Sequence, residues 1–200
     1  MSGGRMPAKE ALAAVHAARR DEDIVITTMS PARDWMTMPQ HARDLVLVPS
    51  AMGHATSIGL GLALAQPERR VIICNGDGSM LMNLGSLVSI AAAAATNVRV
   101  LVFVNGTYEV TGSQVVPGAG MVDFAAMARA AGFESVFEFS ELAAWRREVD
   151  AVLGAPGPAF AVLHVEPVYG VPGPRSPGAA GERARRFMEA VTGGNGSANG

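Results

Sequence analysis

Residues 71–79 read Val-Ile-Ile-Cys-Asn-Gly-Asp-Gly-Ser, and this stretch carries the strongest indication of the fold. Its first half is a continuous apolar run, which is typical of a strand covered on both faces in a parallel sheet. Its second half places a glycine on each side of Asp77, where such a strand would end. Glycine lets the backbone turn tightly and approach a ligand closely. The stretch therefore predicts a buried strand followed by a binding loop.

Similar apolar runs occur on both sides of this stretch. They lie at residues 24–26, 45–48, 98–104 and 160–163. Stretches with helical composition lie at about 7–20, 53–66, 80–95, 122–131 and 140–153. Strands that alternate with helices form parallel sheets with right-handed crossovers. We therefore expect an α/β fold with three layers, α/β/α, around a mostly parallel sheet.

The length of 200 residues suits one domain with a substantial core. We expect this domain at residues 1–170. Residues 171–200 are expected to hold a Pro/Gly-rich linker, a short helix and a disordered tail, because the final residues 193–200 are almost entirely small and polar. The run Arg183, Arg185 and Arg186 is expected on the solvated face of that helix.

Composition excludes several classes of function. The net charge of −2 gives no reason to expect a nucleic-acid partner. Cys74 is the single cysteine, so an intramolecular disulfide is impossible. The sequence contains no apolar run long enough for a signal peptide or a membrane span. We therefore expect a cytoplasmic chain that uses neither nucleic acid nor membrane.

The loop after residues 71–76 has features of a metal-bridged phosphate site. A carboxylate beside a phosphate site is reasonable when a divalent cation lies between them, and Mg²⁺ commonly bridges protein oxygens and phosphates. Twenty-six residues separate Gly78 from Asn105, enough for one helix and one strand. Asp77 and Asn105 are therefore expected at adjacent strand ends. The structural alternative is that Asp77 caps a helix and Asn105 sits in a turn.

Gly76-Asp77-Gly78, followed by 26 residues and Asn105, resembles the diphosphate and magnesium signature of thiamine diphosphate (ThDP) enzymes. That family usually has two adjacent asparagines, and here Val104 replaces the first. The resemblance implies the ThDP-binding fold and a Mg²⁺ ion held by Asp77, Asn105 and the carbonyl of Thr107. It also implies that the diphosphate is contacted at Gly76, Gly78 and Ser79.

A second segment, Ser50-Ala51-Met52-Gly53, resembles the part of the family that holds the pyrimidine end of ThDP. By this resemblance, Met52 would wedge the cofactor into its bent shape. The backbone carbonyl of Ser50 would receive the amino group of the pyrimidine, and Thr27 and Thr28 would lie near the diphosphate.

The resemblance is closest to the β subunits of sulfopyruvate decarboxylase and to the matching half of phosphonopyruvate decarboxylase. The shared motifs include Gly59-Leu60-Gly61 and Thr111-Gly112. The family implies decarboxylation of a small anionic 2-oxoacid to an aldehyde. It also implies a partner α subunit that carries the pyrimidine domain with its catalytic glutamate, in an α2β2 or larger hetero-oligomer.

Three side chains are candidates for binding the substrate or for transferring protons to and from it. His54 and Glu109 would recognise the substrate or transfer protons, and Gln114 would face a substrate anion. The structural alternatives are a helix-start residue for His54 and a solvated loop charge for Glu109. At the level of the whole protein, the alternatives are a carboligase of the acetolactate synthase type and a non-catalytic cofactor-binding subunit.

Overall fold

The computed structural model describes residues 4–48 and 51–193. Its α-helices are α1 (Ala8–Ala18), α2 (Met29–Trp35), α3 (Ala55–Ala65), α4 (Asp77–Leu81), α5 (Gly85–Ala92), α6 (Phe124–Ala131), α7 (Leu142–Gly154) and α8 (Ala180–Thr192). Its strands are β1 (Ile24–Thr28), β2 (Asp44–Leu47), β3 (Val71–Gly76), β4 (Val98–Val104), β5 (Thr107–Tyr108), β6 (Gln114–Val115), β7 (Ser135–Phe139) and β8 (Ala159–His164). No helix in the described part of the chain is long and apolar enough to cross a bilayer.

Six strands form one sheet in the order β2-β1-β3-β4-β8-β7, and every neighbouring pair is parallel. The remaining two strands, β5 and β6, form a small antiparallel hairpin outside this sheet. All five apolar runs are strands of the large sheet. The α/β prediction with a parallel sheet is confirmed.

Both faces of the sheet are covered by helices, because side chains of a strand point alternately to the two faces. Ile73 of β3 packs in one core with residues of α3, α5, α6 and α8. Ile72 and Cys74 of the same strand pack in the other core, with residues of α1, α2 and α7. The three-layer α/β/α prediction is therefore confirmed.

The helices and strands differ from the prediction in several places. The helix expected at 80–95 is two helices, α4 and α5, since Asn83 lies in a turn and its amide donates to the Gly53 carbonyl at 2.8 Å. Neither α2 nor β7 was predicted. The strand β7 is an edge strand and only partly buried, so it lacks the continuous apolar run that marks the central strands.

The prediction that all three arginines of α8 are solvated was wrong for Arg183. Its guanidinium donates to the carbonyl oxygens of Val46, at 2.6 Å, and Val48, at 3.4 Å. Arg185 and Arg186 are exposed and each forms an i,i+4 ion pair on the helix. The difference arises because α8 packs beside the edge strand β2, whose carbonyl groups need donors.

The predicted domain boundary at residue 170 stays a prediction. Residues 166–179 contain no regular helix or strand, and α8 buries Phe187 and Val191 in the core that α3 and α5 share. Residues 194–200, most of the expected disordered tail, lie outside the described residues.

Candidate cofactor site

The predicted site residues lie around the carboxyl ends of β1, β3 and β4. From β1 the chain continues to β2 on one side, and β3 pairs on the other side of β1. The strand order therefore reverses between β1 and β3, and ligands of open α/β sheets bind in the crevice at such a point. The β3 end carries Asp77, and the neighbouring β4 end carries Asn105.

Asp77 is a buried carboxylate that is held by backbone donors. Its side chain is 3% exposed. One oxygen accepts the N–H of Gly78 at 2.8 Å, and the other accepts the N–H of Gly106 at 2.7 Å. Burial raises the pKa of the Asp77 carboxyl, although the N–H groups of Gly106 and Gly78 oppose this rise. No cationic side chain among the described residues pairs with Asp77, so a cation at this position would offset the cost of its burial.

Asn105 is buried beside the same loop. Its Oδ1 accepts the N–H of Thr107 at 2.8 Å, and its Nδ2 donates to Oε1 of Glu109 at 2.9 Å. Because Asp77 binds the N–H of Gly106, the loops after β3 and β4 are joined directly. The structure therefore brings the two predicted metal-binding segments together.

The two glycines beside Asp77 have different surroundings. A Cβ added to Gly76 would meet no heavy atom within 4 Å, so open space lies next to this residue. A Cβ added to Gly78 would clash with Cε1 of Tyr108. Ser79 follows, and its hydroxyl oxygen accepts the N–H of Gly53 at 3.1 Å, while its O–H has no acceptor among the residues that the structure describes. We call the open space at Gly76 the cradle; the ring of Tyr108 closes it from one side.

A pocket that is partly open to solvent lies at this cradle. Among the predicted residues, those that line it are Met52, Gly76, Asp77, Gly78, Ser79, Asn105, Thr107 and Glu109.

Five other predicted residues do not line this pocket or cannot be placed. His54 is exposed at the start of α3, and Gln114 is exposed in the hairpin. Thr27 and Thr28 are fully buried, and their hydroxyls find no hydrogen-bond partner among the described residues. Ser50 lies outside the described residues.

Residues directly after β1 line the pocket and were missed by sequence reasoning. Met29, at the start of α2, has a φ of +59°, a left-handed conformation that is uncommon for a side chain of this size. Asp34, in the same helix, also lines the pocket. Strain of this kind clusters at functional sites. The one signal in the sequence is the position of this segment at a strand end, directly after Thr27 and Thr28.

The surroundings of Glu109 were also not predicted. Its side chain is 1% exposed rather than solvated. Oε1 accepts the N–H of Val168 at 2.7 Å, and Oε2 lies 3.2 Å from Nη2 of Arg33. Burial alone would lower the pKa of Arg33, but hydrogen bonds and charges from Asp34 and Glu109 outweigh it and raise that pKa. The role of Glu109 in substrate recognition or proton transfer stays a prediction.

The donor set fits a magnesium ion that is shared with phosphate oxygens. Within residues 4–48 and 51–193, no group of three His, Cys, Asp or Glu side chains is arranged to hold a metal. The site instead offers the carboxylate of Asp77, the amide oxygen of Asn105 and backbone carbonyls. Mg²⁺ favours such oxygen ligands and completes its shell with substrate phosphates and water.

A family model and several known proteins are similar to this chain. Residues 23–164 match the family model described as thiamine pyrophosphate enzyme, C-terminal TPP binding domain; thiamine pyrophosphate is another name for ThDP. The sulfopyruvate decarboxylase subunit beta of Methanothermobacter thermautotrophicus is 37% identical over 158 residues, which cover 79% of this chain and 81% of that protein. The phosphonopyruvate decarboxylase of Streptomyces viridochromogenes is 36% identical over 175 residues, which cover 86% of this chain and 43% of that protein.

A solved structure from Mycobacterium smegmatis, described as a candidate thiamin diphosphate-dependent enzyme, has the same fold. It superposes with a TM-score of 0.69 at 21% identity, over 82% of this chain and 32% of that one. The resemblance expected from the sequence is confirmed. The chain belongs to the thiamine pyrophosphate enzymes, and residues 23–164 are their C-terminal TPP-binding domain.

Proposed function

We propose that this chain is the diphosphate- and magnesium-binding β subunit of a ThDP-dependent 2-oxoacid decarboxylase of the sulfopyruvate or phosphonopyruvate type. The observation that carries the proposal is the buried Asp77, which has no cationic side chain beside it among the described residues and borders the open cradle at Gly76. The Mg²⁺ ion would supply the missing positive charge next to Asp77, and the diphosphate would fill the cradle. The similarity to the two decarboxylases supports this reaction type.

Each part of the cofactor would have its own set of protein groups. Asp77, Asn105 and the carbonyl of Thr107 would hold the metal. The free O–H of Ser79 and the backbone at Gly76 and Gly78 would hold the diphosphate. Thr27 and Thr28 are proposed to lie near the diphosphate, and Ser50 and Met52 are the proposed contacts at the pyrimidine end of the cofactor. Bound ThDP supplies the electron sink for loss of carbon dioxide from the substrate.

The charge of the pocket indicates that the chain does not bind an anionic substrate unaided. Among the described residues that line it, Asp34, Asp77 and Glu109 are acidic and none is basic. Mg²⁺ would offset part of this charge for the diphosphate. The anionic group of a 2-oxoacid would still need a cation from outside this pocket. The proposed substrate contacts of this chain are His54 and Gln114.

The proposed source of the missing groups is a pyrimidine-domain α subunit in an α2β2 or larger assembly. The Methanothermobacter relative is named as a beta subunit, which supports such a partner. Exposed apolar side chains near the site also support it, since Val115 is 72% and Tyr169 65% exposed. The partner would contribute the catalytic glutamate. The cytoplasm is the proposed location.

The proposed function is tested by calorimetric titration of ThDP with and without Mg²⁺, on this chain alone and with its candidate partner. We expect Mg²⁺-dependent binding that Asp77→Ala weakens at least tenfold, or about 1.4 kcal/mol, because the buried carboxylate is lost from the metal site. The control is Asp150→Ala, which removes an exposed carboxylate of α7 and should leave binding unchanged. Wild-type protein that binds no ThDP even with the partner would contradict the proposal.

Product analysis with sulfopyruvate and phosphonopyruvate then separates the reaction types. An aldehyde as the only product supports the decarboxylase. A product with a new carbon–carbon bond would instead identify a carboligase of the acetolactate synthase type. Binding without turnover, in the presence of the partner, would identify a non-catalytic cofactor-binding subunit.

A further inference from the structure

The side-chain amide of Asn105 is held in one orientation by a buried carboxylate. A carboxylate accepts hydrogen bonds and does not donate them. Because Oε1 of Glu109 lies 2.9 Å from the Asn105 amide nitrogen, this end of the amide must be the NH₂ group. The other end is therefore the oxygen, which accepts the N–H of Thr107 at 2.8 Å. A rotated amide would bring its NH₂ group against this N–H and leave two oxygens facing each other at Glu109.

The Glu109 carboxylate is itself held from two sides that are distant in sequence. The N–H of Val168, in the segment after β8, donates to Oε1 at 2.7 Å. The guanidinium of Arg33, in α2, forms an ion pair with Oε2 at 3.2 Å. A buried carboxylate without these partners would be costly, so the arrangement depends on all three segments. Each oxygen of Glu109 is in contact with a donor or cation of the protein.

We propose that Glu109 is a positioning residue, whose carboxylate orients the amide of Asn105 so that its oxygen is presented to Mg²⁺. Arg33 and the N–H of Val168 hold the carboxylate in place. The inference rests on the proposed function, since it concerns the same metal. Outer partners that orient a ligand commonly change metal affinity by about 10- to 100-fold when removed.

The first test measures the Mg²⁺ concentration that gives half-maximal ThDP binding, with the full chain and the partner where binding requires it. Glu109→Ala should raise this concentration by about 10- to 100-fold, because the Asn105 amide is then free to rotate. Glu109→Gln keeps an oxygen that accepts from Asn105, so it should stay within about threefold of the wild type, or about 0.7 kcal/mol. The matched control is Glu134→Ala, which removes an exposed carboxylate before β7 and should have no effect.

Thermal unfolding without Mg²⁺ separates a change in the site from loss of the fold. A Glu109→Ala protein that folds and requires no more Mg²⁺ than Glu134→Ala would overturn the inference while leaving the proposed function intact. A wild type without any Mg²⁺-dependent ThDP binding would overturn both.

The second test uses variants of nearly unchanged volume and decides the question if Glu109→Ala does not fold. Asn105→Asp places a carboxylate oxygen against Glu109 where the wild type has a donor. We expect this variant to need at least about tenfold more Mg²⁺, despite its additional negative charge. Adding Glu109→Gln removes the repulsion between the two carboxylates and supplies an amide donor to the introduced one. It should restore only part of the loss, because the same NH₂ group then faces the N–H of Val168. A double variant no better than Asn105→Asp would overturn the inference.

Discussion

At the residue scale, the two glycines beside Asp77 are required for different reasons. Gly76 borders open space in the pocket, and its backbone φ of −86° can be adopted by any residue. Gly78 instead touches the ring of Tyr108, so that a methyl group there has no room. One glycine therefore leaves space for a ligand, and the other allows the protein to pack against itself.

Alanine substitutions distinguish these two functions. Gly76→Ala should change the free energy of unfolding by no more than about 0.5 kcal/mol, because the added methyl group meets no protein atom. The same methyl group should weaken ThDP binding at least tenfold, or about 1.4 kcal/mol, by occupying the cradle. Gly78→Ala should lower the free energy of unfolding by about 1–3 kcal/mol through its clash with Tyr108. Urea unfolding and calorimetry measure both quantities, and unchanged binding by Gly76→Ala would contradict the placement of the diphosphate.

At the element scale, α8 shows how a segment that resembles a solvated tail becomes part of the core. Its composition is strongly charged, which predicts only a short helix after a linker. In the structure, Phe187 is 5% and Val191 1% exposed, while the neighbouring Met188 is 51% exposed. Arg183 also supplies donors to the carbonyl groups of Val46 and Val48. The helix therefore covers one edge of the sheet.

Two substitutions on α8 measure this docking. Phe187→Ala should lower the free energy of unfolding by about 3 kcal/mol, because it removes a buried aromatic ring and leaves a cavity. Met188→Ala, one residue further along the same helix, should change it by less than about 0.5 kcal/mol. Denaturant unfolding monitored by circular dichroism provides the measurement. Equal effects of the two substitutions would show that α8 does not dock in solution.

At the scale of the whole molecule, Cys74 reports on global unfolding. It lies in β3, between β1 and β4, and its side chain is fully buried under helices. Burial raises the pKa of the Cys74 thiol far above its ordinary value. Because the thiolate is the reactive form, the folded protein should react very slowly with thiol reagents.

Labelling of Cys74 by a chromogenic disulfide should therefore require unfolding of the central sheet and follow the global free energy of unfolding. Mg²⁺ and ThDP together should slow this labelling in the wild type, since a ligand that binds only the folded state stabilises it. The Asp77→Ala variant should show less protection at the same Mg²⁺ and ThDP concentrations. Rapid labelling of native wild-type protein would contradict the burial of Cys74.

The fold class, the family and the segments that meet at the candidate site all follow from the amino-acid sequence. The reason is physical: continuous apolar runs report burial on both faces, and parallel strands place the residues that follow them at one edge of the sheet. Asp77 and Asn105 could therefore be expected near each other without coordinates. The edge strand β7 was not predicted, because a partly buried strand lacks the continuous apolar run that marks the central strands.

The side chains that surround these residues are set by tertiary packing and could not be read from the sequence. The contacts of Glu109 with Arg33 and Val168 join segments far apart along the chain, and the packing of the helices brings them together. The docking of α8 against β2 depends in the same way on the shape of the neighbouring surface. The pattern of apolar residues along a helix or strand indicates which of its residues are buried. The partner it meets there depends on the packing of elements that are distant along the chain.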